Sequence, residues 1–267
     1  MKRITDYFTL TCNITGWLCN YINKNPVDKL VVGVSGGIDS AVTSTLCAKT
    51  GLEVYAVGMP LKQDPEQESL SDAHLSWLEN SYSNVQPVKI DLSESYSKFM
   101  STMGDCNIEF ALNPLAKANT KARLRMMTLY QIAGSCNGIV VGTGNKVEDY
   151  GVGFFTKYGD GGVDIAPIAD LYKSEVRELG REFGLIPEII DAAPTDGLWD
   201  DQRTDEDQLG TSYEMLEWVM ESGADEPFFR PDDLSEEQLK AIEQYKKFNK
   251  QNQHKMRPIP TYKLGES

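Results

Sequence analysis

The chain has 267 residues, 40% of them hydrophobic and 25% charged, which is enough apolar material for the core of one α/β unit. A net charge of −14 argues against nonspecific adhesion to nucleic acid, and no run is long and apolar enough to span a bilayer. The five cysteines (Cys12, Cys19, Cys47, Cys106 and Cys136) are odd in number and lack a Cys-x-x-Cys, so they read as buried thiols of a cytoplasmic protein, not as disulfides or a zinc site.

In chain order, residues 3–24 carry Ile4, Phe8, Leu10, Ile14, Trp17, Leu18 and Tyr21 on a helical period, and Asn25-Pro26 stop that helix. Residues 29–34 form an apolar run of the kind buried on both faces of a sheet. Further strands are expected at 52–59, 87–92 and 138–142, with helices over 65–82, 93–103 and 113–137 between them. His74, in an Asp/Ser-rich helical stretch, is expected at the surface. This alternation predicts an α/β fold: a doubly wound, Rossmann-like parallel sheet flanked by helices on both faces. A ligand of such a sheet sits beyond the carboxyl ends of its strands. A helix over 173–183 ends at Gly184, and helices near 205–222 and 234–249 precede a polar tail. Between them, 192–210 is loop-like and acidic (Asp196, Asp200, Asp201, Asp205, Glu206 and Asp207) and reads as a mobile lid. No repeat interrupts the chain, and residues 1–267 are expected to form a single domain.

The most informative stretch is Gly33-Val-Ser-Gly-Gly-Ile-Asp-Ser40, where the first strand turns through glycines into a helix. Unpaired amides at a helix N-terminus, joined by the positive end of the helix dipole, form an anion site. The loop has no Gly-x-x-x-x-Gly-Lys and no Gly-x-Gly-x-x-Gly; an aspartate stands at its phosphate end. A carboxylate beside a polyphosphate needs a bridging cation, which makes Asp39 a Mg²⁺ ligand. After the fourth strand, Gly142-Thr-Gly-Asn-Lys-Val-Glu148 again sets small residues before a carboxylate, so Glu148 can share that cation and Thr143 can meet a nucleotide. Next, Gly153-Phe-Phe-Thr-Lys-Tyr-Gly-Asp-Gly-Gly-Val-Asp164 packs three aromatics, a lysine and two aspartates among four glycines, a density that packing does not explain.

Ser-Gly-Gly-x-Asp-Ser resembles the pyrophosphate loop of the ATP pyrophosphatases, which split ATP between its α and β phosphates and adenylate a substrate. With the Thr143…Glu148 loop, the Phe154–Asp164 run and His254-Lys255, the chain resembles NAD⁺ synthetase over nearly its whole length. That resemblance implies amidation of deamido-NAD⁺ with ATP through a nicotinyl adenylate, releasing AMP and pyrophosphate. It implies ATP bound by Gly33, Val34, Ser35, Gly36, Gly37, Ile38, Asp39 and Ser40 together with Thr143, Lys173 and Thr195. Asp39 and Glu148 would hold Mg²⁺. Arg123, Lys157, Asp164, His254 and Lys255 would contact deamido-NAD⁺, in a two-fold homodimer with no nucleic-acid or membrane partner. Lys173 would offset phosphate charge, and Asp160 or Asp164 would hold ammonium and take its proton; the choice between them stays open.

The sequence also departs from the family pattern. One more residue than in some members separates Glu148 from the Phe-Phe-Thr-Lys run, and Asn145 stands where others carry histidine. Glutamine-using members carry an amidase domain ahead of the synthetase; with 34 residues before Ser35, free ammonia is the expected nucleophile. Rival readings are a GMP synthetase core, a tRNA-modifying adenylase and a non-catalytic nucleotide-binding regulator. The missing basic surface and the retained carboxylates and lysine speak against them.

Overall fold

The structure, a computed structural model, describes residues 3–62, 65–105, 113–195, 197–199, 201, 203–226 and 233–264. Helix α1 (Tyr7–Lys24) starts where Asp6 accepts the Thr9 amide at 2.9 Å, four residues inside the expected 3–24. Then come β1 (Lys29–Val34), α2 (Ile38–Lys49), β2 (Glu53–Gly58), α3 (Pro65–Ser81), β3 (Val85–Lys89), α4 (Ser93–Gly104), α5 (Pro114–Cys136) and β4 (Gly138–Val141). All pairings are parallel, in the order β3-β2-β1-β4. The chain winds outward from β1 to β3 and then crosses to the other side of β1, so the switch point lies between β1 and β4. The loops leaving those two strands, which carry Asp39 and Glu148, therefore open onto one crevice.

Strand alternation builds a core on each face of the sheet. Leu30, Val32 and Val34 pack with Leu18 and Ile22 of α1, Cys47 of α2 and Leu78 of α3. Val31 and Val140 face the other way, against Tyr96 of α4 and Ala133 of α5. Beyond the sheet come α6 (Lys173–Glu182) and the short α7 (Pro187–Ile190), packed on α2 through Val176, Leu179 and Ile189.

The expected helix over 205–222 is two helices, α8 (Asp205–Leu209) and α9 (Tyr213–Ser222). Gly210 at φ 72° caps the first, and Ser212 accepts the Met215 amide to start the second. The last helix, α10 (Glu236–Met256), runs past the expected 249 and takes His254 and Lys255 into its final turn. Helices α8 to α10 share a core with the segment Val147–Val152 through Leu216, Ala241 and Tyr245.

That segment is a π-helix. A π-turn is wider than an α-turn, and here it carries the chain from Glu148 to Phe154, whose amide donates to the Glu148 carbonyl at 2.9 Å. Gly153 ends the turn at φ 64°, and a Cβ there would lie 2.6 Å from Asn252 of α10, so glycine is required on both counts.

Two expectations are corrected. His74 is not a surface residue: it is 2% exposed, stacked on Trp77 at 5.5 Å and bonded to Ser44 Oγ at 2.9 Å, because α3 turns that face onto α2. The cysteines are not uniformly buried: Cys47 is, Cys19 and Cys136 are partly so, and Cys12 is exposed on the outer side of α1; all four are free thiols. Cys106 lies outside the described residues, as do Asp196 and Asp200 of the acidic loop. Among the described residues no helix is long and apolar enough to cross a membrane.

Candidate active site

The glycine loop is held open by its own serines. Ser40 Oγ accepts the Ser35 amide at 3.1 Å and donates to the Gly37 carbonyl at 2.9 Å, while Ser71 from α3 ties down the Val34 carbonyl at 2.9 Å. Gly36 sits at φ 89°, and a Cβ there would lie 2.6 Å from the Gln67 carbonyl oxygen, so the turn admits no side chain. Gly37 caps α2 without a side-chain hydrogen bond, leaving the first-turn amides to whatever anion enters.

Beside the loop, two carboxylates meet one buried lysine. Lys173, 3% exposed at the start of α6, pairs with Asp39 Oδ2 and with Glu148 Oε1 at 3.2 Å. The Tyr213 hydroxyl donates to the same Glu148 oxygen at 2.6 Å, and the Lys173 ammonium lies 4.9 Å from the Tyr213 ring centre. Burial opposes the Lys173 charge, but the attraction of Asp39, Glu148 and Asp205 outweighs it, so the amine is held charged above its ordinary range. Burial raises the Asp39 carboxyl, Lys173 draws it back, and Glu148 pushes it the same way as burial. Burial, Glu148 and Asp205 likewise raise the Tyr213 phenol, keeping it a proton donor. Acidic groups outnumber the single cation here, a charge balance that favours entry of a further cation.

A cavity of about 790 Å³ opens over this cluster. Every residue of Gly33–Ser40 lines it, as do Thr143, Glu148, Asp160, Lys173 and Thr195, so the expected ATP-side residues converge. Arg125, Met126 and Trp199 contribute further walls. The remaining expected residues form a second group outside the lining. Lys157 Nζ donates to the His254 carbonyl at 2.9 Å, Lys255 Nζ to the Phe155 carbonyl at 2.7 Å, and the Arg123 guanidinium to the Lys157 carbonyl at 3.3 Å. Burial lowers the Lys255 amine and Asp160 opposes this, which links the second group electrostatically to the cavity wall. Asp164 accepts from Tyr130 at 3.0 Å and from the Val140 amide at 2.8 Å, and only Asp160 of the two aspartates lines the cavity.

Three residues at the site were not expected from sequence. Asp149, inside the π-helix, lines the cavity with its carboxyl pushed up to about 8 by burial and by Glu148, Asp160 and Asp39. Its neighbour Glu148 was the available signal, but a stretch read as a loop gives no direction for the next side chain. Tyr213 and Asp205 arrive from α8 and α9, whose place beside the sheet nothing local encodes.

A doubly wound sheet with a glycine turn at its switch point and a carboxylate–lysine cluster beside that turn defines a nucleotide-polyphosphate enzyme of the α/β class. A family model described as NAD synthase matches residues 10–259. The NH(3)-dependent NAD(+) synthetase of Methanosarcina acetivorans is 38% identical over 267 residues, covering 97% of this chain and 99% of that protein. The protein of the same name from Finegoldia magna is 35% identical over 246 residues, covering 92% and 96%. Among solved structures, NMN synthetase from Francisella tularensis superposes with a TM-score of 0.84 at 32% identity, covering 98% of this chain and 100% of that one. The chain belongs to the NAD synthase family.

Proposed function

We propose that the protein is an ammonia-dependent NAD⁺ synthetase: it activates the nicotinate carboxylate of deamido-NAD⁺ with ATP and exchanges the activated oxygen for nitrogen. The observation that carries this reading is the convergence of the glycine loop, Asp39, Glu148 and Lys173 on one cavity. A carboxylate is a poor electrophile because oxide is a poor leaving group. Its attack on the α-phosphorus forms a mixed anhydride and releases pyrophosphate, which the Gly33–Ser40 amides and Lys173 are placed to hold. Neutral ammonia then attacks the carbonyl carbon, AMP leaves, and the nitrogen gives up a proton. Asp160, on the cavity wall, is the acceptor we assign; Asp164, doubly bonded outside it, is assigned to the dinucleotide.

Mg²⁺ fits this site. Among the described residues no group of three or more His, Cys, Asp or Glu stands ready for a metal, but Mg²⁺ is commonly held by one or two carboxylates with substrate phosphates completing the shell. Asp39 and Glu148 would hold it, and it would neutralise phosphate charge there. Arg123, Lys157 and Lys255 donate to carbonyls of the same chain and the His254 ring lies 3.2 Å from the Gln251 carbonyl, so we assign all four to the dinucleotide after re-pairing. Exposed Leu115, Met127 and Tyr130 on α5 supply an apolar face for the two-fold homodimer we expect, and a monomer by sedimentation at working concentration with full activity would remove that assignment. Free thiols fit a cytoplasmic protein.

A second reading shares the chemistry and changes the substrate: nicotinate mononucleotide in place of the dinucleotide. The high TM-score to the Francisella NMN synthetase favours it. Competing the two substrates under ATP, Mg²⁺ and ammonium decides. The first reading predicts the larger kcat/KM for deamido-NAD⁺; a preference for the mononucleotide replaces it with the second.

A further inference from the structure

Asn145 is fully buried, with 0% exposure, between the two loops of the site. Its side chain is engaged at both ends. Nδ2 donates to Asp39 Oδ1 at 3.3 Å, and Oδ1 accepts the main-chain amides of Val147 at 3.1 Å and Glu148 at 3.2 Å. The orientation is dictated by chemistry: two N–H groups require an oxygen, and a carboxylate oxygen requires a donor. The Asn145 main chain is fixed as well, its carbonyl accepting the Asp149 amide at 2.9 Å in an α-type turn that leads into the π-helix.

We propose that Asn145 is the positioning residue that holds the Asp39 and Glu148 carboxylates at a spacing that takes up one divalent cation. One planar amide spans from the side chain on α2 to the backbone that carries Glu148, so neither loop moves without the other. Lys173 bridges the same two carboxylates, but its charge is also what an entering triphosphate attracts. Once Lys173 turns to phosphate, the amide of Asn145 is the tie that remains between them. Glu148 is further limited by Tyr213, which occupies Oε1; among the described residues Oε2 accepts no hydrogen bond.

The inference rests on the reading of Asp39 and Glu148 as the cation's ligands, and the experiment separates the two. Mn²⁺ is titrated in the presence of ATP and followed by electron paramagnetic resonance, for the parent and for Asn145→Ala and Asn145→Asp. ATP affinity in EDTA and the melting temperature are measured alongside. Absence of ATP-dependent Mn²⁺ binding in the parent would overturn the cation reading and this inference with it. Given binding in the parent, Asn145→Ala should weaken it by about tenfold or more, the usual cost of losing a residue that orients a metal ligand, with ATP affinity in EDTA unchanged. Asn145→Asp keeps the acceptor for Val147 and Glu148 but sets an oxygen against Asp39, so it should weaken Mn²⁺ binding despite its added charge. Parental Mn²⁺ affinity in folded Asn145→Ala, or tighter binding in Asn145→Asp, would overturn the role. Should neither variant fold, the Asn145 side-chain amide protons of the parent decide by NMR: slow exchange and a shift on adding Mg²⁺ with ATP support the role, and fast exchange without a shift contradicts it.

Discussion

At the scale of single residues, the site is a problem in charge. Asp39, Glu148 and Asp205 crowd one lysine, and Asp39 is the carboxylate nearest the glycine loop in sequence. Asp39→Asn preserves shape and the contact with Asn145 while removing one negative charge. Turnover should fall by at least about a hundredfold, as for loss of a group that stabilises transition-state charge, with little change in melting temperature. Steady-state kinetics at saturating Mg²⁺ checks this, and near-parental turnover would remove Asp39 from the mechanism. Tyr213→Phe separates hydroxyl from ring: the cation–π contact to Lys173 stays and the 2.6 Å bond to Glu148 goes. Turnover should drop by about tenfold, less than for Asp39→Asn, because Tyr213 acts through Glu148. Asp39 and Glu148 could be read from sequence because each lies just after a strand at the same sheet end. Tyr213 could not, since its contact with Glu148 joins residues 65 apart in the chain.

At the scale of elements, the parallel alternation was legible because β1, β2 and β4 are largely apolar runs with helices in the intervals, whereas the edge strand β3 (Val-Gln-Pro-Val-Lys) is mostly polar or part-exposed and lies at Val85–Lys89, not at the expected 87–92. Where local rules mislead, the cause is packing. His74 sits among polar neighbours in sequence, yet α3 crosses α2 with that face inward and the ring is sealed between Ser44 and Trp77. The π-turn at Val147–Val152 is likewise invisible to a search for helical period. Burial lowers the His74 imidazole to about 4, whereas the unfolded ring titrates near its ordinary 6.5. Between those values the unfolded chain binds the extra proton, so stability is fully present above about pH 6.5 and is lost as pH falls toward 4. His74→Gln should flatten that slope, measured as melting temperature against pH in EDTA. An unchanged slope would mean the ring takes up its proton without unfolding.

At the scale of the whole molecule, the strand order puts the β1 and β4 loops side by side, and α8, α9 and α10 close around them. The fold was legible, and so was the convergence on one cavity of the Gly33–Ser40 loop, Thr143 and Glu148, because these follow neighbouring strands of one sheet. The second group, Arg123, Lys157, His254 and Lys255, was legible only through resemblance, since it unites α5, the 153–164 loop and the end of α10. The nitrogen source is also a whole-molecule property. None of the described cysteines lines the cavity, so the purified chain should make NAD⁺ from ammonium chloride and not from ammonia-free glutamine. Equal rates from the two donors would contradict that.

The central claim is that ATP activates a nicotinate carboxylate before nitrogen attacks it. The direct measurement uses deamido-NAD⁺ labelled with ¹⁸O in that carboxylate, together with ATP, Mg²⁺ and ammonium, and tracks the products by mass spectrometry. The account predicts NAD⁺, AMP and pyrophosphate in equal amounts, with one ¹⁸O carried into AMP and none into pyrophosphate. Release of ADP and orthophosphate, or AMP free of label beside newly formed NAD⁺, would contradict it.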